Sequence, residues 1–413
     1  MDLELKVYLR EPKLLFALLV IEVVRVVLFT VTNYNLEFFN WVKMGQGILY
    51  RQGAFFGVYQ APAYIFAAEY AVWLLLTHNL NPPLGTLALE NLAFTLFMKM
   101  TFLISEVVII LLIIHIVRKN TNSPRRALGA AMLWITSPLV FLCETHSPVD
   151  ILPALLILLG VYAIHRSRVK FGSVSFAIGS VLRLAPLLVT WIYVVAFTRL
   201  RQFKNLIGFL GIQLTLFVCG ILYIQYVFGH SAFQTLESSR YPGVFIPEIV
   251  SGLSAAVNPG IAYNPVQLNL GVIVFILVGY MVTRPSVWNR RVPGVEALAF
   301  FAAYFALVFQ DAFILWMLPL LFVYASITKY GPIRLLLTTI LGFLYVLVSD
   351  SNYYTSQGAA VLLVPNLNQM MSTLSSALRL LGGSASPLTS FFRSLFSASL
   401  VLVIFWILRD NSN

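Results

Sequence analysis

Lysines and arginines gather in short clusters between long apolar runs, and that spacing constrains the fold of this chain more than any other feature. The clusters are Lys6/Arg10/Lys13, Arg118/Lys119/Arg125/Arg126, Arg166/Arg168/Lys170, Arg199/Arg201/Lys204, Arg284/Arg290/Arg291, Lys329/Arg334 and Arg409. They hold 19 of the 27 basic residues, so the net charge of +11 belongs mostly to the connections between apolar runs. Basic residues stay on the cytoplasmic side when a chain inserts into a membrane. One threading satisfies every cluster, and it puts most of the unusual polar residues on the opposite face.

With 59% hydrophobic and 10% charged residues, the chain is far from a soluble domain, where about a quarter of residues are charged. The basic balance does not point to nucleic acid, because the cations sit beside spans and face anionic headgroups. Cys143 and Cys219 both lie in apolar runs, with no metal-binding spacing and no disulfide framework. The first apolar run, about 14–30, is long enough to remain as an anchor and lacks a small-residue cleavage site, so no cleavable signal peptide is expected.

The expected fold is an all-α, polytopic integral membrane bundle, one transmembrane domain over 1–413, with about nine full spans plus two broken or re-entrant elements. The first span, about 14–32, carries Glu22 and Arg25 three apart on one helical face, where they can pair. Segment 33–92 is the expected first outer loop with interfacial helices, and its short apolar run 61–77 reads as a re-entrant or interfacial hairpin. Spans 93–117, 127–143 and 151–165 follow. A single crossing over 171–198 would carry Arg199, Arg201 and Lys204 outside. A pair of half-helices broken near Arg183 by Pro186 keeps both flanking clusters inside. Such breaks survive at membrane depth only where they line a cavity or are buried in protein. Beyond span 205–228 come an outer loop at 229–265, spans 266–283, 292–309, 312–328 and 335–349, an outer segment at 350–389, and a last span at 390–408.

This threading places Glu37, Glu69, Glu90, Glu144, Asp150, Glu237, Glu248, Asp311 and Asp350 on the outer face, beside few cations, among them Lys99, Arg183 and Arg240. Most acids in wet loops are ordinary surface groups. Glu37 is singled out because the run after it, from Trp41 to Tyr50, can form a helix lying in the interface plane with its aromatic side down. A carboxylate there sits at headgroup depth. Asp150 opens a span, a position that ordinarily serves as a cap or dipole partner. Arg183 beside a helix break would cost several kcal/mol unless partnered, and its fork of donors suits a phosphate.

Four segments, in this order, carry a resemblance to a known family. They are Asn35-Leu-Glu-Phe-Phe-Asn-Trp41 with Gly47-Ile-Leu-Tyr50 and Tyr59-Gln-Ala-Pro62; Trp134-Ile-Thr-Ser-Pro138 with Glu144-Thr-His-Ser-Pro-Val-Asp150; Gly179-Ser-Val-Leu-Arg183-Leu-Ala-Pro186; and Gln310-Asp-Ala-Phe-Ile-Leu-Trp316-Met-Leu-Pro319. Together they resemble the multispanning glycosyltransferases of the GT-C fold that use dolichol- or polyprenyl-phosphate sugars. The pattern is nearest the mannosyltransferases that add the first mannose of GPI anchors and their prokaryotic relatives. Arg183 stands where that family usually has Lys, and Asn35 where its first outer loop carries Asp, leaving Glu37 as the acid there.

The resemblance implies an inverting transfer of a hexose, mannose first, from a polyprenyl-phosphate donor to a lipid- or protein-linked acceptor at the non-cytoplasmic face. Glu37 would be the base, with Asp150 second, and Arg183 helped by Arg240 would bind the donor phosphate. Asn35, Trp41, His146, Gln310, Asp311 and Trp316 would contact substrate, although Trp41 and Trp316 also suit simple membrane anchoring. A divalent cation would fit between Glu37 and the phosphate, and no spacing requires one. The competing classes are a non-catalytic subunit, favoured by Asn35, and a secondary transporter, for which Glu22, Arg25 and Glu106 are the mid-span charges. Without a retention tail after Arg409, the prokaryotic plasma membrane is expected rather than the endoplasmic reticulum.

Overall fold

The computed structural model describes residues 11–31, 35–50, 61–78, 90–146, 148–183, 185–228, 295–308, 312–328, 331–349 and 387–410, with 278, 281 and 373. In chain order the helices are α1 (Pro12–Val31), α2 (Asn35–Tyr50), α3 (Ala63–Thr77), α4 (Glu90–Met98), α5 (Met100–Thr121), α6 (Pro124–Ile135), α7 (Pro138–His146) and α8 (Ile151–His165). They continue with α9 (Val169–Leu182), α10 (Ala185–Arg199), α11 (Phe203–Phe228), α12 (Val295–Val308), α13 (Leu318–Ile327), α14 (Gly331–Ser349) and α15 (Pro387–Asp410). Short 3₁₀ turns cover Pro148–Asp150 and Ala312–Trp316. No strand occurs among the described residues.

Proline sets many of these boundaries. It opens α1, α6, α7 and α15, where its missing N–H costs nothing and its fixed φ suits the first turn. Ser123 adds a side-chain cap, accepting from the Arg126 N–H at 3.3 Å. At the other end, α3 and α5 stop at left-handed residues, His78 (φ 52°) and Asn122 (φ 54°). Their N–H groups return to the Leu74 and Arg118 carbonyls, closing the last turn.

Four of the described helices are long and apolar enough to cross a membrane, over Met100–Thr121, Pro148–His165, Phe203–Gly220 and Phe391–Arg409. A fifth crossing exists if Pro124–Ile135 and Pro138–Thr145, bent by 48°, count as one. Among the described residues this stops short of the expected nine. Two local reasons are visible: the run 127–143 is interrupted at Pro138, and the run 312–328 is shortened by the 3₁₀ turn before Leu318. The expected span 266–283 lies outside the described residues apart from 278 and 281. The run at 61–77, expected as a re-entrant or interfacial hairpin, is one helix, α3. The expected outer loop 229–265 lies outside the described residues, as does 350–389 apart from Thr373 and the start of α15.

The chain forms two compact units. The first comprises Met1–Phe55, Pro62–Ile151 and Ala325–Ser399. In it α2 packs closely on α3, because a Cβ on Gly45 would fall 2.8 Å from backbone atoms of Phe66 and Ala67. Phe38 and Trp41 close on Phe66 at 6.1 and 6.3 Å, and Phe66 leans on Phe102 of α5 at 5.4 Å. Elsewhere in this unit Gly342 of α14 admits Leu139 of α7 and Phe396 of α15.

The second unit comprises Phe56–Ala61, Leu152–Tyr324 and Leu400–Asn413. Its centre is an antiparallel hairpin of α9 and α10, with the Phe176 and Tyr193 rings 5.6 Å apart across it. Helix α11 runs along the hairpin. Ser173 donates to the Phe209 carbonyl at 2.6 Å, Thr190 donates to Gln213 at 2.8 Å, and Gly220 meets Val181 near the turn.

Candidate functional site

The turn of the α9–α10 hairpin carries Arg183, the cation the sequence singled out. Arg183 is extended (φ −157°, ψ 141°), its N–H closes α9 on the Gly179 carbonyl at 2.8 Å, and its side chain is half-buried. Pro186 folds back onto Gly179 so tightly that a Cβ there would lie 2.8 Å from Pro186 Cγ. The depth of the turn follows from lengths. The 14 residues of α9 rise about 21 Å, against about 30 Å of hydrocarbon in a bilayer. Because Gly220 lies at the turn and α11 ends at Phe228, the turn stops about 12 Å short of the end of α11. The turn that carries Arg183 thus lies within the height of α11.

In the first unit Glu37 and Asn35 occupy the first turn of α2; their side chains lie outside the described residues. Beside that turn is Lys99, at the joint between α4 and α5 and 1% exposed. It donates to the Phe29 carbonyl near the end of α1, and its ammonium lies 4.3 Å from the Phe29 ring and 5.4 Å from the Phe38 ring. Asp150 is fully buried in the 3₁₀ turn that leads into α8.

Trp41 is 1% exposed with its indole stacked on Phe66 at 6.3 Å, and Val42 and Met44 are buried with it. The face assigned to the membrane interface is therefore turned toward α3, because Gly45 permits close helix packing. Trp316 is buried in the second unit with its ring 6.0 Å from Phe305. The side chain of His146 and the residues Arg240, Gln310 and Asp311 lie outside the described residues. Glu37 and Asp150 belong to the first unit, Arg183 and Trp316 to the second.

Two acids assigned to the outer face are held by neighbouring helices. Glu69 on α3 accepts from the Oγ1 and N–H of Thr101, so it caps the first turn of α5 from a neighbouring helix. Glu144 on α7 is 2% exposed and paired with Arg25. Arg25 also pairs with Glu106 through Nε at 2.7 Å, and its Nη1 donates to the carbonyls of Trp134 at 3.2 Å and Ile135 at 2.6 Å. The expected partner Glu22 is displaced from this role by carboxylates on α5 and α7. The only sequence signal for the network was three charged residues inside apolar runs, which buried charge makes costly unless paired. Among the described residues no group of three His, Cys, Asp or Glu side chains is arranged to hold a metal ion. Comparison with protein-family models, with curated proteins and with solved structures gave no match to the chain.

Proposed function

We propose that the chain is an inverting membrane glycosyltransferase of the GT-C type, multispanning in a prokaryotic plasma membrane. It moves a hexose, mannose first, from a polyprenyl-phosphate donor to a lipid- or protein-linked acceptor at the non-cytoplasmic face. The observation that carries this reading is Arg183, a guanidinium at the turn of a short helical hairpin whose arms are too short to reach from one side of the bilayer to the other. A donor whose phosphate joins a sugar to a long apolar tail presents its charge near that depth, and a planar fork of N–H groups binds phosphate bidentately.

The acceptor hydroxyl oxygen forms a bond to the anomeric carbon as the bond from that carbon to the phosphate oxygen breaks. A carboxylate takes the hydroxyl proton, and the freed lipid phosphate keeps the electron pair beside a cation. Glu37 is the proposed base, Asp150 the second candidate, and Arg183 with Arg240 the proposed phosphate cations. A divalent cation, if used, would be held by Glu37 and would supply charge screening for the departing phosphate.

A second reading, a non-catalytic subunit of a membrane complex, is favoured by Asn35 in the place of the family's Asp. Sugar transfer from a polyprenyl-phosphate donor in proteoliposomes separates the two. In the enzyme, Glu37→Gln lowers kcat by about 10²–10⁴-fold and Arg183→Ala by about 10²–10³-fold. Full activity in both variants rules out these assignments, and no transfer by the unaltered protein with any lipid-linked hexose favours the subunit.

A further inference from the structure

We propose that Arg25 is a positioning residue: it clamps the break between α6 and α7 and, through Glu144, fixes the segment that delivers Asp150. The functional half of this inference rests on the reading of Asp150 as a catalytic carboxylate; the clamp itself does not.

The argument begins with Pro138. An uninterrupted helix would satisfy the Trp134 carbonyl with the N–H of residue 138, which proline lacks. The helix breaks there, α7 leaves at 48° to α6, and the carbonyls of the last turn of α6 need other donors. In an apolar bundle water is not available to supply them, and each one left unsatisfied costs several kcal/mol. Ser137 N–H reaches the Trp134 carbonyl at 3.1 Å, and Arg25 Nη1 reaches both Trp134 and Ile135.

The other edges of the same guanidinium hold Glu106 on α5 and Glu144 on α7. One planar group therefore touches both sides of the break and a third helix that packs against it. Lysine presents three donors at a single point and cannot span these four acceptors. Glu144 lies on the last turns of α7, and the chain passes from it through Pro148 to Asp150, which is buried at the head of α8. The angle of α7 thus governs where that carboxylate arrives, and a misplacement of about 1 Å can cost about a hundredfold in rate.

The test uses spin labels on R125C and T145C, at opposite ends of the bent pair, in full-length protein carrying C143A and C219A. Arg25→Met alone would strand two buried carboxylates and threatens folding. The decisive variant is therefore R25M/E106Q/E144Q, which removes the clamp together with both carboxylates it pairs with, with R25K as the conservative partner. E22Q is carried in the parent and in every variant, because the Glu22 carboxylate oxygens are also buried. The clamp predicts a single narrow distance in the parent, a broadened or shifted one in the triple variant, and an intermediate result in R25K. In transfer assays kcat falls about a hundredfold in the triple variant with KM unchanged, and R25K recovers part of the loss. An unchanged distance in the triple variant overturns the clamp. A shifted distance with unchanged kcat overturns the link to Asp150. A shifted distance in a protein whose parent transfers no sugar leaves the clamp standing and sinks the transferase reading instead.

Discussion

The ring of Phe176 on α9 lies 5.6 Å from that of Tyr193 on α10. These residues are on either side of Arg183, so the contact exists only if the two helices run back along each other. Phe209 of α11 closes the group, 6.1 Å from Phe176 and 6.2 Å from Tyr193. The connection before α9 and the one after α10 consequently share one end of the hairpin.

Labelling from either side of the membrane checks this arrangement. In a background with C143A and C219A, the exposed positions in S167C and Q202C should react with an impermeant thiol reagent from the same side, the cytoplasmic one by the charge bias. Reaction from opposite sides would mean that 171–198 crosses the membrane once, and Arg183 would lose its place at a turn.

The hairpin depends on close approach at Gly179. An added methyl meets Pro186 at 2.8 Å and the Leu156 side chain at 3.3 Å, whereas Gly208 of α11 has nothing within 4 Å. Gly179→Ala should destabilise the protein by about 1–3 kcal/mol through overpacking. Gly208→Ala should stabilise it by about 0.5–1 kcal/mol, the helix preference of alanine over glycine. SDS titration in mixed micelles reads both, and the opposite signs are the diagnostic result.

These elements also show what could be read from the sequence. Pro186 marks its break directly, because a missing N–H is a local property of one residue. Pro138 carries the same local signal but stands inside a run read as one span. Helix content follows from the apolar runs for the same reason. Arg25 is different: its neighbour Glu22 is visible at helical spacing, but its partners come from α5 and α7, and no local spacing predicts which helices meet. Trp41 shows the same limit. Its apolar face is legible, while the identity of what covers it depends on Gly45 admitting Phe66 from another helix. Glu144 looked like a loop acid because helix ends are the least legible part of a span, whereas Glu69 lies mid-helix and its partner Thr101 comes from another helix.

Thr190 and Gln213 join α10 to α11 by a buried hydrogen bond of 2.8 Å. Thr190 Oγ1 also touches its own helix, at 3.1 Å from the Pro186 carbonyl, so it ties the start of α10 to α11. Hydrogen bonds between membrane helices average about 0.6 kcal/mol and reach about 1.7 kcal/mol. A double-mutant cycle of T190V and Q213L should give a coupling energy in that range. A coupling near zero would mean that α11 is held by Gly220, Phe209 and Ser173 alone.

Lys99 offers the sharpest contrast between a charge and the stem that carries it. The residue is 1% exposed, donates to the Phe29 carbonyl and faces two aromatic rings. Lys99→Met keeps the volume of the stem. It loses a hydrogen bond worth about 1–3 kcal/mol and a desolvated cation–π contact worth about 2 kcal/mol, but the burial of an ammonium, which costs several kcal/mol, goes with them. The net change should stay within about 2 kcal/mol. Lys99→Ala removes the same interactions and leaves a cavity beside Phe29 and Phe38, and deletions of that size cost about 2–5 kcal/mol. Alanine should therefore be the more damaging variant in SDS titration. Equal damage from both would show that the charge, rather than the packed stem, anchors the joint between α4 and α5 beside the turn that carries Glu37.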